Sequence, residues 1–354
     1  MSQPKILIIL KKRQDYNGEK HSHIGLSTGL YNSARFINEM LSDYGLHSHL
    51  AVVNDNNDID REVTKHKPTH VIIEALWVVP GKFKILTQLH PNVKWIIRLH
   101  SNLPFIANEG MAMDWIPDYL QYKNLHVAVN SLEMLDSIRL YIGVKMNFWD
   151  KDQIENKVIY LPNYYPKTHT HKDHNKNKNH IDIGCFGAIR PLKNQLVQAM
   201  AAIEFAEKNG KELHFHINTG RIEGKGDAIL HNLEHLFHKL RLRGHKLIKH
   251  EWVPRELFLE LCGDMDIGLQ VSFSETFNIV GADLISNGTP LVGSKEIPWS
   301  SSMFNADPTN AKEITKKLQL AYRYPKLNVR RNRKLLDKYV DKSKSVWIDY
   351  LLGK

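Results

Sequence analysis

Short apolar runs and longer segments of helical periodicity alternate along the first half of the chain. The apolar runs predict strands at residues 5–10, 47–53, 70–73, 95–99, 126–129 and 157–161. Residues 29–44 repeat apolar side chains at helical spacing, and Gly45 is placed to end that helix. Strands that alternate with helices predict a parallel, doubly wound sheet.

A second alternating series follows a polar gap at residues 166–180, which are rich in Lys, Asn and His and lack the apolar side chains of a core. We expect this gap to be an exposed linker, and its four histidines to lack the fixed geometry of a metal site. Predicted strands lie at 181–186, 213–218, 246–249, 267–271 and 290–293, with helices at 194–208, 227–240 and 254–262 between them.

The two series together predict an α/β protein with two doubly wound, Rossmann-like domains at 1–165 and 181–335, joined by the linker 166–180. Such a pair of domains places a ligand in the cleft between them. The chain is helix-prone from residue 311, with a break near Pro325 and a last helix at 343–352. We expect the segment 336–354 to be a C-terminal helix that packs back on the first domain.

Composition narrows the class of protein. A hydrophobic content of 42% and a charged content of 24% are typical of soluble globular proteins. No apolar run approaches the roughly 20 residues that span a bilayer. The first residues lack the apolar core of a signal peptide, so we expect a cytoplasmic location, which is the host cytoplasm if a phage encodes the chain. Cys185 and Cys262 lie in apolar surroundings and are predicted to be buried free thiols.

The positive charge is concentrated in the second half of the chain. Residues 1–165 carry 18 Lys and Arg against 17 Asp and Glu, whereas residues 166–354 carry 30 against 21. Such an excess attracts polyanions through a long-range field. Nucleic acid, an anionic membrane surface and a diphosphate are all compatible with it.

Two acids eight positions apart form the most informative motif. Glu275 comes just before a predicted helix and Asp283 lies inside it, followed by Gly288-Thr289-Pro290. The amides of residues 277–280 would face a phosphate at the helix N-terminus, and the carboxylates would accept hydrogen bonds from the hydroxyls of a nucleotide sugar. The alternative is an ordinary capped helix with a solvated acid.

Other candidates follow strand ends. Gly25 lies in the long loop 11–28, and Gly29 follows that loop. Both would let the backbone approach a phosphate; the alternative is an ordinary surface loop. His100 ends a buried strand and is predicted to contact a sugar hydroxyl or phosphate, or else to be structural. Arg190 and Lys193 lie between a strand end and a helix start and are predicted to bind a diphosphate. The alternative is a basic surface loop.

A third group of candidates concerns the acceptor. Asn102 follows the strand that ends at His100, and Glu109 and Asp114 are placed near the same edge of the sheet. Either acid would position an acceptor hydroxyl or act as its base. Acids at the start of a helix also serve as partners of the helix dipole.

With these motifs the chain resembles the GT-B glycosyltransferases, in particular the retaining group of glycogen synthase and bacterial mannosyl- and glucosyltransferases. The resemblance rests on the glycine loop, the strand to His100, Asn130-Ser131, Leu161-Pro162-Asn163, the segment 187–193 and the acid pair with Gly288-Thr289-Pro290.

The resemblance implies roles for individual residues. Lys193 would bind the donor diphosphate, Glu275 the sugar hydroxyls and Asp283 the ribose. The amides of Asn278, Ile279 and Val280 would reach the phosphates and sugar.

Two positions depart from the family pattern. Asp283 is one methylene shorter than the usual glutamate, and the family's arginine position is Ala188, so Arg190 would have to replace that arginine.

The implied reaction uses a nucleotide-diphosphate sugar, expected to be a UDP-sugar, with no cofactor and no metal, and retains the anomeric configuration. A base among Glu109 and Asp114 would instead point to inversion.

A narrower resemblance is to tailed-phage glycosyltransferases, through segments 98–105, 109–115 and 186–194. It implies transfer of glucose or arabinose to a hydroxylated cytosine of duplex DNA, and the basic clusters at 241–246 and 330–334 would then contact DNA. The alternatives are a glycosyltransferase acting on a cell-envelope lipid or polysaccharide, and a nucleic-acid-binding module with an inactive GT-B fold.

Overall fold

Two separate parallel sheets organise the chain. The computed structural model describes residues 3–12, 29–170 and 178–354. The chain divides into unit 1, Met1–Pro166 with Val340–Lys354, and unit 2, Lys167–Tyr339. Each unit holds one sheet with helices on it, so the predicted α/β fold with two doubly wound sheets is confirmed.

Unit 1 has a six-stranded sheet in the order β2-β1-β3-β4-β5-β6, with all pairs parallel. Its strands are β1 (Lys5–Lys11), β2 (His47–Val53), β3 (His70–Glu74), β4 (Lys94–Leu99), β5 (Leu125–Val129) and β6 (Val158–Tyr160). Its helices are α1 (Gly29–Asp43), α2 (Asp58–His66), α3 (Lys82–Leu89), α4 (Leu103–Ile106), α5 (Ala112–Leu120), α6 (Leu132–Lys145) and α7 (Lys151–Lys157).

Both faces of the unit 1 sheet are apolar, because successive strand residues point to opposite faces. Leu7 and Ile9 of β1 belong to one buried cluster, with side chains of α2, α3, α5 and α6. Ile6 and Ile8 belong to the other, with side chains of α1 and with Trp347 near the end of the chain. The near-continuous apolar runs of the sequence are therefore explained by burial on both sides.

Unit 2 has a five-stranded parallel sheet in the order β11-β10-β7-β8-β9. The strands are β7 (His180–Gly184), β8 (Glu212–Asn218), β9 (Lys246–His250), β10 (Ile267–Gln270) and β11 (Leu291–Gly293). The helices are α8 (Gln195–Lys208), α9 (Gly226–Leu240), α10 (Arg255–Asp264), α11 (Ile279–Ser286) and α12 (Ala311–Arg323). Ile181, Ile183 and Phe215 lie in the core with side chains of α8, α9 and α12, whereas the opposite face of β7 and β8 carries polar side chains.

The last helix is longer than the sequence predicts. The break near Pro325 is present, but a single helix, α13 (Pro325–Leu352), replaces the predicted short helix at 343–352. Proline is tolerated at the first helical position, so Pro325 begins the helix instead of interrupting it. The basic cluster at 330–334 consequently lies on a helix.

The end of α13 packs into unit 1. Trp347 is fully buried, and its indole Nε1 donates to the carbonyl of Pro162 at 2.8 Å. The Arg98 guanidinium lies over its ring at 5.4 Å. Cys185 and Cys262 are buried and free, as predicted. None of the described helices is both long enough and apolar enough to cross a membrane.

We expect Trp347→Ala to lower the free energy of unfolding by about 3–5 kcal/mol, because it leaves a large cavity under the Arg98 side chain. Urea unfolding followed by far-UV circular dichroism measures this change. Leu335→Ala on the same helix is the control: this side chain is 38% exposed, and its truncation should change stability by about 0.5 kcal/mol or less. Equal effects of the two substitutions would contradict the anchoring role of Trp347.

Candidate functional site

The loop after β7 brings the backbone of unit 2 close to a lysine. Gly187 has a φ of +113°, and its N–H donates to Asn218 Oδ1 at 3.0 Å. A β-carbon at this position would lie 3.9 Å from Cε of Lys193. The positive φ therefore favours glycine here, whereas the space toward Lys193 would admit a β-carbon.

Lys193 and Glu275, 82 positions apart in the chain, form an ion pair. Lys193 Nζ lies 2.6 Å from Glu275 Oε1, and the two side chains are only 12% and 7% exposed. Lys193 ends a short 3₁₀ turn before α8. The next residue, Asn194, has a φ of 59° and donates to the carbonyls of Val271 and Pro308, which fixes this turn beside the end of β10. The structure thus brings together the two residues expected to hold the donor.

Asn278 organises the start of α11. It adopts a left-handed conformation with a φ of 63°, and its Oδ1 accepts from the N–H of Gly281 at 2.7 Å. Its Nδ2 donates to Glu275 Oε1 at 3.0 Å and to Gln270 Oε1 at 3.1 Å. The side chain therefore caps the helix and orients the Glu275 carboxylate. The amides of Ile279 and Val280 lie in the first turn, where a helix offers them no internal partner.

Asp283 is paired with an arginine that the sequence analysis missed. Its Oδ1 lies 2.6 Å from a terminal nitrogen of Arg255, the first residue of α10, and both side chains are nearly buried. The spacing of the motif carries no signal of this pair, because Arg255 is 28 positions away. The contact of Asp283 with a ribose stays a prediction, because its carboxylate already accepts a hydrogen bond from Arg255.

Arg190 pairs with an acid of its own. Its guanidinium lies 3.2 Å from Glu223 Oε2, and Arg221 donates to the other oxygen of the same carboxylate at 2.6 Å. Its role in binding phosphate stays a prediction, since the carboxylate of Glu223 already accepts from its guanidinium.

In unit 1, a buried charged network occupies the carboxyl ends of β3 and β4. Arg98 Nη1 donates to Glu74 Oε2 at 3.0 Å, and neither side chain is exposed. The same guanidinium donates to Asn163 Oδ1 at 2.6 Å and to the carbonyl of Leu161 at 3.0 Å. His100 contacts the Glu74 carboxylate through Nε2. Of this group, only His100 was singled out from the sequence as a candidate, although charged residues in apolar strands are a visible signal.

Burial and the neighbouring charges together set the pKa values of Glu74 and His100. Burial alone would raise the pKa of Glu74, but Arg98 and then His100 bring that pKa below its ordinary value, so Glu74 is a carboxylate. Burial lowers the pKa of His100, and the opposing effect of Glu74 is smaller, so the imidazole is neutral at pH 7. His100 Nε2 lies beside two unlike partners: the Glu74 carboxylate, which only accepts, and Arg98 Nη1 at 3.1 Å, which only donates.

The remaining candidates of unit 1 lie around this edge with different exposure. Asn102 is half-buried, and its Oδ1 accepts from the hydroxyl of Ser131 at 2.6 Å, which joins the end of β5 to the start of α4. Glu109 lies in a turn and Asp114 in the first turn of α5, and both are exposed. Gly29 begins α1, whereas Gly25 lies outside the described residues.

Solved glycosyltransferase structures share the fold of this chain. Trehalose-6-phosphate synthase from E. coli, bound with UDP-2-fluoro glucose, is 12% identical with a TM-score of 0.67 and covers 98% of this chain and 99% of its own. Sucrose-phosphate synthase from Thermosynechococcus elongatus is 14% identical with a TM-score of 0.66, over 99% and 98% of the two chains. Anabaena HepE in complex with UDP is 12% identical with a TM-score of 0.61, over 99% and 100%.

Comparison by sequence adds nothing to this likeness. No protein-family model matches the chain, and no curated protein matches it. At identities of 10–15% the structural likeness establishes the fold, which is that of GT-B glycosyltransferases.

We expect Glu74→Gln to lower the free energy of unfolding by about 3–5 kcal/mol, because it leaves the Arg98 guanidinium buried without a countercharge. Urea unfolding at pH 7 measures the loss. Glu155→Gln is the control, since the Glu155 side chain is 43% exposed and its long contacts with Arg139 and Lys151, at 3.6 and 3.8 Å, are worth about 1 kcal/mol or less. Glu74→Gln with wild-type stability would show that the buried pair does not hold this edge.

Proposed function

We propose that this protein is a glycosyltransferase that takes a sugar from a nucleoside diphosphate. The observation that carries the proposal is the ion pair of Lys193 and Glu275 beside the first turn of α11. A cation and helix amides suit a diphosphate, and an adjacent carboxylate suits sugar hydroxyls. The shared fold with proteins solved in complex with UDP or a UDP-sugar supports this choice of donor.

In this proposal donor binding separates the ion pair. The Lys193 ammonium turns to the diphosphate, together with the amides of Ile279 and Val280, and the Glu275 carboxylate accepts from hydroxyls of the sugar. Asn278 keeps Glu275 in place through its Nδ2 contact. Asp283, with Arg255 beside it, accepts from the ribose.

The bond between the anomeric carbon and the diphosphate oxygen breaks, and the acceptor oxygen forms the new bond to that carbon. The hydroxyl proton of the acceptor leaves with the diphosphate. We propose that the anomeric configuration is retained and that no metal is needed, because Lys193 and the amides stabilise the leaving diphosphate. His100, neutral and oriented by Glu74, would contact a hydroxyl of the reacting sugar.

For the acceptor, the proposal is a hydroxylated cytosine in duplex DNA, with glucose or arabinose as the sugar. Its support is the excess of basic residues at 166–354, including the exposed cluster at Arg241–Arg243. Such a surface attracts the phosphate backbone irrespective of sequence.

One observation favours a second acceptor, a membrane lipid. On and just after α6, Leu140, Val144 and Phe148 follow one another at four-residue spacing and are 71%, 74% and 76% exposed. These three residues form an apolar ridge. Exposed apolar side chains of this kind bind membrane interfaces. In α1, by contrast, the apolar side chains are buried in unit 1, so α1 does not present such a surface.

The donor site is tested by two substitutions with opposite signatures. Lys193→Ala should weaken UDP binding about 10- to 100-fold, the loss of one charge-assisted contact. Glu275→Gln should keep UDP binding but lose sugar transfer, because in this proposal the sugar is the only part of the donor that the carboxylate contacts. Isothermal titration calorimetry with UDP, and transfer assays, measure the two effects.

Lys208→Ala is the matched control, since Lys208 forms an equally short but exposed pair with Glu204 on α8. UDP binding that is unchanged in Lys193→Ala would overturn the proposed donor site.

The acceptor is tested by supplying a panel of UDP-sugars with duplex DNA that contains hydroxymethylcytosine, or with anionic vesicles that carry lipid acceptors. We expect a hexose or pentose mass on the modified nucleoside after digestion. No mass gain on DNA with any donor would overturn the DNA acceptor. Sugar on lipid, lost in Leu140→Ser with Val144→Ser, would establish the second candidate.

A further inference from the structure

One face of the unit 2 sheet carries histidines where a doubly wound sheet is usually apolar. His180 and Asp182 lie on β7, and Asp182 pairs in register with His214 on β8. Residues two positions apart share a face, so these three side chains point to the same side of the sheet. Ile181 and Ile183 point to the opposite side and are part of the core.

The two imidazoles and the carboxylate converge. His180 Nε2 lies 3.3 Å from Asp182 Oδ2, and His214 Nδ1 lies 3.4 Å from Asp182 Oδ1. The two rings are stacked, with centroids 4.0 Å apart and an interplanar angle of 19°. One potential ligand atom from each residue lies within 4.8 Å of the other two.

We propose that His180, Asp182 and His214 bind a divalent first-row transition-metal ion of the Zn²⁺ type. Imidazole and carboxylate are the ligands that such ions take, with bonds of about 2.0–2.2 Å. In a tetrahedron with bonds of that length, neighbouring ligand atoms lie about 3.3 Å apart. The two nitrogen–oxygen distances have this value, although they end on different oxygens of Asp182. Because the two rings are stacked, an imidazole must turn before both nitrogens face one ion.

The surroundings of Asp182 suit a ligand carboxylate. His216 Nε2 lies 3.1 Å from Asp182 Oδ1, and His216 Nδ1 lies 2.9 Å from His250 Nε2. The backbone N–H of Asp182 donates to Asp266 Oδ2 at 2.9 Å. Such outer contacts orient a metal-binding carboxylate.

One neighbour competes with the ion. Lys178 Nζ lies 2.9 Å from Asp182 Oδ2, the oxygen nearest to His180. Its side chain is 38% exposed and can turn away into solvent. A metal ion of charge +2 takes the place of the ammonium, so removal of this lysine should strengthen metal binding.

An ion can reach the three ligands from solvent. The side chain of His180 is 32% exposed and that of His214 is 16% exposed. The ligands come from the first half of β7 and from β8, whereas Lys193 and Glu275 follow the carboxyl ends of strands. The ion would therefore clamp two strands together and take no part in sugar transfer, so this inference does not depend on the proposed function.

The test is a titration of the full-length protein, first stripped of metal with a chelator, with Co²⁺. We expect one ion per chain, visible d–d absorption of a tetrahedral site, and displacement by Zn²⁺. His180→Ala and His214→Ala should each weaken Co²⁺ binding by at least about tenfold.

Lys178→Met should strengthen Co²⁺ binding, because it removes the competing ammonium. Circular dichroism confirms that each variant is folded. If His214→Ala does not fold, His180→Ala still provides the test, because His180 is only partly buried.

A second histidine pair supplies the control. His49 and His66 in unit 1 are stacked with the same 4.0 Å separation and an angle of 20°, but no three-ligand cluster forms there among the described residues. His66→Ala should leave Co²⁺ binding unchanged. Absence of binding by the wild type would overturn the proposal. So would binding that survives both His180→Ala and His214→Ala, which would assign the ion to other histidines such as His171 and His174 of the polar linker.

Discussion

The buried Arg98 guanidinium connects several segments of unit 1. The Arg98 guanidinium joins the ends of β3 and β4 through Glu74, and joins the segment after β6 through Asn163 and the carbonyl of Leu161. Asn163 in turn accepts from Ser33 of α1, and Trp347 of α13 covers the guanidinium. A buried charge is tolerated only when its donors are satisfied, so each of these segments is fixed in place by the same requirement.

The same requirement orients the neighbouring histidine. Glu74 is ionised because Arg98 is beside it, and His100 Nε2 contacts both of these side chains. His100 is thus presented at the edge of the sheet by a network that is otherwise structural. A buried ion pair that contributes little net stability still fixes the direction of a functional group.

The ion pair in unit 2 has a different character. Lys193 and Glu275 are nearly buried, but each retains some exposure, and they lie beside helix amides that have no internal partner. Arg98 and Glu74, with no exposure, are closed to any ligand. Exposure therefore distinguishes a pair that holds the fold from a pair suited to exchange its partner for a phosphate and a sugar. The histidines of β7 and β8 are intermediate: they are oriented by the sheet and remain open to an ion.

The sequence by itself determined the two doubly wound sheets, because alternation of apolar runs and helical segments is a local property. It also identified Lys193, Glu275 and Asn278, which stand beside strand ends and a helix start. The tertiary structure decided the partners: Glu74 with Arg98, Asp283 with Arg255, and His180 with His214. The first and third contacts depend on strand order and register, and the second on the packing of α10 against α11. They bring together residues 24 to 34 positions apart, and no spacing rule in one sequence encodes them. The sequence analysis also missed the single helix α13, whose first half has few apolar side chains, with Val329, Leu336 and Val340 buried along it.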